Sequence, residues 1–216
     1  MTIKQIDPVV LFDSNIYLVT GADKTALIDT GTGFNADPLI SSIRSELNGR
    51  HLDYIILTHR HYDHVGGLGR MIREFSPEKV FAGAKDAEPL RSGDSESTLG
   101  TKFGGKIEPM DVVDLREGEI LDLGGHRLVV IEAPGHTIGS ICLFDETTGS
   151  LFSGDTVFVG GVGNTVHPTG SSEMLLRSLE RLSNIDCMGL YPGHGPSVDR
   201  GGREQIEKGL RMMMGN

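Results

Sequence analysis

The sequence is poor in residue types that several classes of protein depend on. It has no tryptophan, and aromatic residues make up 6% of its 216 positions. Cations are also few, since 20 Lys and Arg stand against 30 Asp and Glu, for a formal net charge of −10. Nucleic-acid binding uses clustered cations on phosphates and aromatic rings on bases. The composition therefore argues against a nucleic-acid partner, and the negative charge disfavours an anionic membrane surface.

Cysteine and long apolar runs are scarce as well. The two cysteines, Cys142 and Cys187, are too few for a disulfide framework and are typical of a reducing compartment. No apolar run approaches the ~20 residues that cross a bilayer. The N-terminus lacks the apolar stretch behind a positive region that marks a signal peptide. These features predict a cytoplasmic protein.

The chain does contain many short apolar runs alternating with helical patterns. Runs rich in β-branched residues predict strands at 9–12, 16–19, 26–28, 54–57, 80–81, 112–113, 128–131, 141–144, 151–152 and 190–191. Apolar residues at helical spacing predict helices at 38–47, 68–75, 172–182 and 203–213. Residues 85–106 show no core-facing pattern and are interpreted as a surface excursion. With no break in composition, the chain is expected to form one α/β domain with more than one sheet layer, residues 1–216.

Several histidines lie close together in the sequence, in a pattern typical of metal sites. Directly after the predicted strand 54–57, residues 58–64 read Thr-His-Arg-His-Tyr-Asp-His. His59 and His61 are two residues apart, so an extended backbone points both side chains the same way. Asp63 and His64 follow and can point to a neighbouring position. Imidazole nitrogens and carboxylate oxygens bind borderline divalent metals, so this segment predicts a metal site.

Three further candidate ligands each follow a predicted strand and stand beside glycine. They are His136 in Pro-Gly-His-Thr, Asp155 in Ser-Gly-Asp-Thr and His194 in Pro-Gly-His-Gly. Ligands at the ends of core strands are held more rigidly than ligands on long loops. Four such groups in order along the chain, all at strand ends, indicate a common metal site.

The remaining histidines and the cysteines receive no chemical role from the sequence. His51, His126 and His167 are expected at surface or turn positions, with His167 kept as a candidate pocket residue. Cys142 lies within a predicted strand and Cys187 just before one, so both are expected to be small buried hydrophobes.

These motifs resemble those of the metallo-β-lactamase superfamily and, within it, the glyoxalase II-like hydrolases. The resemblance spans residues 9–198 and rests on His-x-His-x-Asp-His at 59–64, Gly-His-Thr at 135–137, Gly-Asp-Thr at 154–156 and Pro-Gly-His-Gly at 192–195. The early stretch Leu-Ile-Asp-Thr-Gly at 27–31 is also similar. The resemblance implies a four-layer αββα sandwich of two mixed β-sheets flanked by helices, with a two-metal site on one edge.

The resemblance also implies a role for each candidate ligand. Seven side chains would hold two divalent ions, zinc first and iron or manganese as alternatives: His59, His61 and His136 on one, Asp63, His64 and His194 on the other, and Asp155 bridging both. Asp29 would support the ligands from behind, as carboxylates near metal sites commonly do.

The expected reaction is hydrolysis of a small ester or thioester. Two ions roughly 3.5–4 Å apart can share a hydroxide, because coordination lowers the pKa of water from 15.7 towards ~7. That metal-bridging hydroxide would attack the carbonyl carbon while one ion polarises the carbonyl oxygen. Asp63 is the candidate catalytic residue, because it could orient the water or pass a proton to the leaving group.

Several alternatives stay open at the level of sequence. Glyoxalase II has a long helical C-terminal region that helps to bind glutathione, whereas 22 residues follow His194 here. No separate glutathione-binding domain is therefore expected, and residues 85–106 are a candidate substrate wall instead. The main alternative is a persulfide dioxygenase-like oxidoreductase with a single iron, since such enzymes retain most of these motifs. A lactonase, a β-lactamase and a non-catalytic metal-binding protein are the others.

Overall fold

The computed structural model describes residues 2–6, 8 and 10–215. The chain divides into two compact units. The first runs to Leu115 and includes Asp122–Gly125, and the second consists of Arg116–Leu121 and the chain from His126 onward. Within the described ranges, no helix combines the length and the apolar character that crossing a membrane requires.

A six-stranded mixed sheet forms the centre of the first unit. Its strands lie side by side in chain order: β1 (Thr2–Ile6), β2 (Ile16–Thr20), β3 (Thr25–Ile28), β4 (Tyr54–Leu57), β5 (Lys79–Gly83) and β6 (Val113–Leu115). Strands β1 to β3 pair antiparallel, and β3 to β6 pair parallel. Because parallel neighbours need crossover connections, helices separate β3 from β4 and β4 from β5. The carboxyl ends of the parallel strands β3 to β6 consequently lie at one edge of the sheet.

Helices cover the apolar side chains of this sheet. They are α1 (Ala36–Leu47), α2 (Tyr62–Val65), α3 (Leu68–Phe75), α4 (Ala84–Ser92) and α5 (Gly100–Phe103). On α1, four buried residues share one face: Leu39, Ile40, Ile43 and Leu47. They pack with apolar side chains of the sheet and of α3 into a single core cluster. This core fixes the position of β4 and of the loop that follows it.

The second unit contains a five-stranded mixed sheet and a small hairpin. The sheet has the order β13, β10, β9, β8, β7. Its strands are β7 (Ile120–Asp122), β8 (Arg127–Glu132), β9 (Ile141–Asp145), β10 (Ser150–Gly154) and β13 (Gly189–Pro192), and the hairpin is formed by β11 (Val157–Phe158) and β12 (Gly161–Val162). Two helices, α6 (Ser172–Leu182) and α7 (Gly202–Met214), pack on its core through Leu175, Leu179 and Ile206.

Most predicted elements are found to within two residues of their predicted ends, but the strand predicted at 9–12 is wrong. Val9 lies outside the described residues, and residues 10–12 form a turn in which Leu11 is 91% and Phe12 is 65% exposed. The first strand is instead β1, a polar edge strand whose side chains alternate with little burial. An edge strand of this kind gives a weak hydrophobic signal, whereas an exposed apolar turn gives a misleading one.

The interpretation of residues 85–106 as a surface excursion is also wrong. The segment contains most of α4 and all of α5, and Asp86, Ala87 and Leu90 are fully buried. The helical pattern is hard to detect because α4 buries a carboxylate together with its apolar residues. That carboxylate pairs with an arginine of the histidine motif, as described below.

Candidate metal centre

The histidine motif leaves the carboxyl end of β4, the strand that β3 and β5 flank in the first sheet. His61 has an extended backbone (φ −66°, ψ 146°) and precedes α2, which carries Asp63 and His64. The side chains of His59, His61 and His64 are all buried. The local change from strand to a single helical turn therefore brings three imidazoles and one carboxylate to the same end of the sheet.

Within the first unit, the candidate ligand atoms lie close together. A ring nitrogen of His59 is within 4.8 Å of one on His61 and of one on His64. The Oδ2 atom of Asp63 is 3.9 Å from Nε2 of His64. Two ligands on one tetrahedral ion with bonds of ~2.1 Å lie about 3.4 Å apart. This donor set of imidazole nitrogens and a carboxylate oxygen therefore fits divalent metal ions in both chemistry and spacing.

Asp29 supports this set from behind, as expected from the sequence. Its buried carboxylate accepts a hydrogen bond from Nδ1 of His64 at 2.8 Å, and from the backbone N–H and the hydroxyl of Thr58, both at 2.8 Å. A histidine that donates from Nδ1 keeps Nε2 available as a metal ligand, which is a common arrangement at metal sites. The positive φ of Asp29, 62°, places its backbone in the left-handed region, which aspartate tolerates better than most residues.

Close packing of two glycines brings α2 against the loop after β3. A Cβ atom on Gly66 would lie 2.4 Å from the carbonyl oxygen of Thr32, and one on Gly67 would lie 2.2 Å from that of Thr30. Both distances are far below van der Waals contact, so only glycine fits at either position. The close approach lets the backbone N–H of Thr30 donate to the carbonyl of His64 at 2.8 Å.

Arg60 and Asp86 fix the backbone of the motif between two of its histidines. Asp86 accepts from the backbone N–H of Arg60 at 3.0 Å and from its Nε at 2.8 Å, and both side chains are buried. Sequence reasoning missed this pair, because Asp86 belongs to the segment that lacked a recognisable pattern. An arginine between the candidate metal-ligating histidines was the one signal that indicated a carboxylate partner, because a buried arginine is almost always paired.

The second set of candidate ligands lies at one edge of the second sheet. Strands β10 and β13 are parallel to each other. Strand β9 pairs antiparallel with both β8 and β10, so β8 runs in the same direction as β10 and β13. His136, Asp155 and His194 follow the carboxyl ends of β8, β10 and β13 respectively. Nε2 of His136 is 3.6 Å and Nε2 of His194 is 3.8 Å from the same atom, Oδ2 of Asp155. One carboxylate oxygen thus faces two imidazole nitrogens.

The loop after β12 orients His136. Nδ1 of His136 donates to the carbonyl oxygen of Asn164 at 2.7 Å, which leaves Nε2 on the side of Asp155. A Cβ atom on Gly163 would lie 1.7 Å from the carbonyl oxygen of Asp155, so this position requires glycine. His167, the candidate pocket residue, is half-buried, and its ring centroid lies 6.1 Å from that of His136.

Of the other histidines, His51 is exposed as expected, whereas the surface or turn position expected for His126 is wrong. His126 is 1% exposed, and its Nδ1 forms a hydrogen bond with the buried carboxylate of Asp145. The same carboxylate accepts from the hydroxyl of Thr148 at 2.7 Å. The preceding Gly-Gly pair suggested a turn, but the pairing of β8 with β9 draws His126 and Asp145 into the sheet edge.

Both cysteines are buried, as predicted. Burial disfavours the thiolate and raises the pKa of Cys142 and of Cys187 to about 12. Neither thiol is therefore a nucleophile near neutral pH.

In each unit, imidazole and carboxylate groups cluster at the carboxyl ends of β-strands. This arrangement is typical of metal-binding α/β proteins. The chain belongs to the metallo-β-lactamase superfamily, because the family model "Metallo-beta-lactamase superfamily" matches residues 9–194. It is 39% identical over 197 residues to the probable metallo-hydrolase MJ0888 of Methanocaldococcus jannaschii, an alignment that covers 88% of this chain and 91% of that protein. It is also 31% identical to the Beta-lactamase-like protein 2 homolog of Caenorhabditis elegans, over 89% of this chain and 59% of that longer protein.

Solved structures confirm the predicted fold class. The BLEG-1 B3 metallo-β-lactamase superposes with a TM-score of 0.77 at 26% identity, over 96% of this chain and 95% of that one. TTHA1623, solved in a di-iron-bound form, gives a TM-score of 0.75 at 26% identity, over 98% of this chain and 97% of that one. The chain is therefore a member of a metallo-hydrolase superfamily, and its histidine and aspartate sets are of the kind that binds divalent metals.

Proposed function

We propose that this protein is a glyoxalase II-like, binuclear metal-dependent hydrolase of a small ester or thioester. The observation that carries the proposal is the position of Asp155 Oδ2, at 3.6 and 3.8 Å from the Nε2 atoms of His136 and His194. These distances exceed ordinary hydrogen bonds and are close to the spacing of ligands on a shared ion. A carboxylate oxygen between two imidazoles is the arrangement expected of a ligand that bridges two metals.

The proposed ligand sets combine both sheets. We assign seven residues to two ions: His59, His61 and His136 to the first, Asp63, His64 and His194 to the second, and Asp155 to both. Zinc suits these donors, and iron and manganese accept them as well. Because TTHA1623 is described in a di-iron-bound form, iron has to be tested beside zinc.

The chain's own residues would support hydrolysis around these ions. When bound, two divalent ions lower the pKa of water and polarise a substrate carbonyl. Asp63 is partly exposed on α2, so its carboxylate can accept a proton from the attacking water and give it to the leaving group. Asp29 keeps His64 in the tautomer that presents Nε2. Because both cysteine thiols are buried and protonated, neither can act as the nucleophile, and the proposed nucleophile is water.

Activity before and after metal removal tests this proposal. We expect the protein to hydrolyse p-nitrophenyl acetate and phenyl thioacetate, to lose the activity after chelation and dialysis, and to regain it with zinc. An Asp155→Asn variant should bind less metal and stay inactive, whereas Asp199→Asn, in an exposed position, should behave as the native chain. Hydrolysis that survives complete metal removal would overturn the proposal, and oxygen consumption with a persulfide by protein containing one iron would replace it with the oxidoreductase.

A further inference from the structure

A cleft of about 380 Å³ opens on the first unit. Its walls come from the loop before α1, from α2 and α3, and from residues 106–110. We call it the cationic cleft and define it by Phe34, Tyr62, Arg70, Arg73, Lys106 and Met110. None of the seven proposed metal ligands is among its lining residues.

One wall of the cationic cleft is apolar. The buried ring of Tyr62 lies 5.8 Å from the ring of Phe34 and 5.8 Å from that of Phe103, centroid to centroid. The backbone N–H of Lys106 donates to the Tyr62 hydroxyl. Phe34 itself is 41% exposed. A planar or aliphatic group in the cleft would cover this exposed surface.

The rest of the rim is cationic in a chain whose net charge is −10. Arg70 and Arg73 are three residues apart on α3 and therefore share a face. Arg70 pairs with Asp37 at 2.8 Å and Arg73 with Glu108 at 3.8 Å, and these two lining carboxylates are 82% and 74% exposed. Ion pairs with such exposed carboxylates are weak. Arg70 also pairs with Glu74 at 3.3 Å, which is less exposed and does not line the cleft.

Lys106 adds a third cation to this rim. It forms no ion pair with any residue that the structure describes. Among the residues that line the cleft, three cations stand against two carboxylates, Asp37 and Glu108, so the lining favours an anion.

We propose that the cationic cleft binds a small molecule that combines an apolar body with an anionic group, such as a carboxylate, sulfonate or phosphate. The apolar body would lie on Phe34 and Tyr62, and the anion would contact Lys106 and displace the exposed carboxylates from the arginines. Gly69 leaves room for it, because a Cβ atom there would meet nothing nearer than Nη1 of Arg73 at 3.5 Å and Sδ of Met110 at 4.0 Å.

Fluorescence titration with 8-anilinonaphthalene-1-sulfonate tests the proposal, since this probe joins an apolar body to a sulfonate. On the metal-loaded full chain we expect saturable binding of one probe per chain. Lys106→Gln combined with Arg73→Gln should raise the Kd about tenfold, as the loss of a charged contact typically does. Lys102→Gln is the matched control, because Lys102 is exposed nearby on α5 and does not line the cleft. The neutral probe N-phenyl-1-naphthylamine should not respond to the charge changes.

A second variant tests the location independently of charge. Gly69→Leu should fill the cleft and abolish probe binding, while the melting temperature holds or rises because leucine favours a helix more than glycine does. Probe binding that is absent in the native chain, or equal in the native, Gly69→Leu and double-glutamine proteins, would overturn the proposal. Where the probe binds, the KM for p-nitrophenyl acetate is measured with and without it. A KM that increases with the probe would show that the cleft belongs to the substrate site, and unchanged kinetics would show that it binds a separate small molecule.

Discussion

At the scale of single residues, Asp63 differs from the other candidate ligands because it is the partly exposed one in the first unit. We expect Asp63→Asn to lower kcat by at least about a hundredfold, since a positioned proton-transfer group contributes that much or more. The metal content per chain, measured by elemental analysis, should fall far less than the turnover. If metal content and turnover fall together, Asp63 is a ligand without a separate catalytic role.

Asp29 makes its contribution through His64 and needs a different measurement. Substitution Asp29→Asn removes the carboxylate that accepts from Nδ1 of His64. We expect about 10- to 100-fold weaker zinc binding in competition with a chromophoric chelator, as is typical for loss of such a partner. Asp23→Asn, at an exposed position, is the control. Unchanged zinc affinity in Asp29→Asn would show that the hydrogen bond does not prepare His64 for a metal.

The buried thiols predict a pH dependence of stability. Burial raises the pKa of Cys142 to about 12 from an ordinary value of 9.0. Below pH 9 the thiol is protonated in both the folded and the unfolded chain, so it does not make the free energy of unfolding depend on pH. As the pH rises from 9 to 12 the unfolded chain loses this proton first, so the free energy of unfolding falls. Urea titrations of the native chain and of Cys142→Ala across this range measure the effect, and identical slopes against pH would contradict the assignment.

At the scale of elements, the position of the histidine motif depends on α4 as well as on β4. Arg60→Ala would leave the carboxylate of Asp86 buried without its cation, which typically costs about 3–5 kcal/mol. We expect a decrease of this size in the free energy of unfolding. We also expect a loss of metal affinity, because the motif keeps only its backbone hydrogen bond to Asp86. Arg50→Ala, which removes an exposed arginine, should change stability by less than about 0.5 kcal/mol. Equal stabilities of the two variants in urea titrations would refute this account.

The elements that the sequence predicts well are those whose burial is apolar and periodic. Strand β4 is a continuous apolar run, and α3 and α6 have one apolar face, so their limits follow from local patterns. Strand β1 and helix α4 escape such patterns. The first is a polar edge strand, and the second buries Asp86 against a residue 26 positions earlier in the chain. Pairing between distant polar residues has no periodic signal.

At the scale of the whole molecule, the candidate ligands stand out in the sequence because each imidazole or carboxylate follows a predicted strand and stands in a short motif. The direction of the strands explains why His136, Asp155 and His194 meet at one edge, although they are far apart in the sequence. The buried pair of His126 and Asp145 was not predictable, because nothing local distinguishes a structural histidine in a glycine turn from an exposed one. The cationic cleft likewise arises only when α3 and the loop at 106–110 come together.

The number of metal ions per chain distinguishes a binuclear hydrolase from a protein with a single iron. Protein should be purified without chelator or a metal-binding affinity tag and analysed for zinc, iron and manganese per chain. We predict two metal ions per chain, as zinc or as a mixture, and a lower metal content in Asp155→Asn. A single iron per chain in active protein, with no second ion taken up on addition of zinc, would contradict the binuclear account.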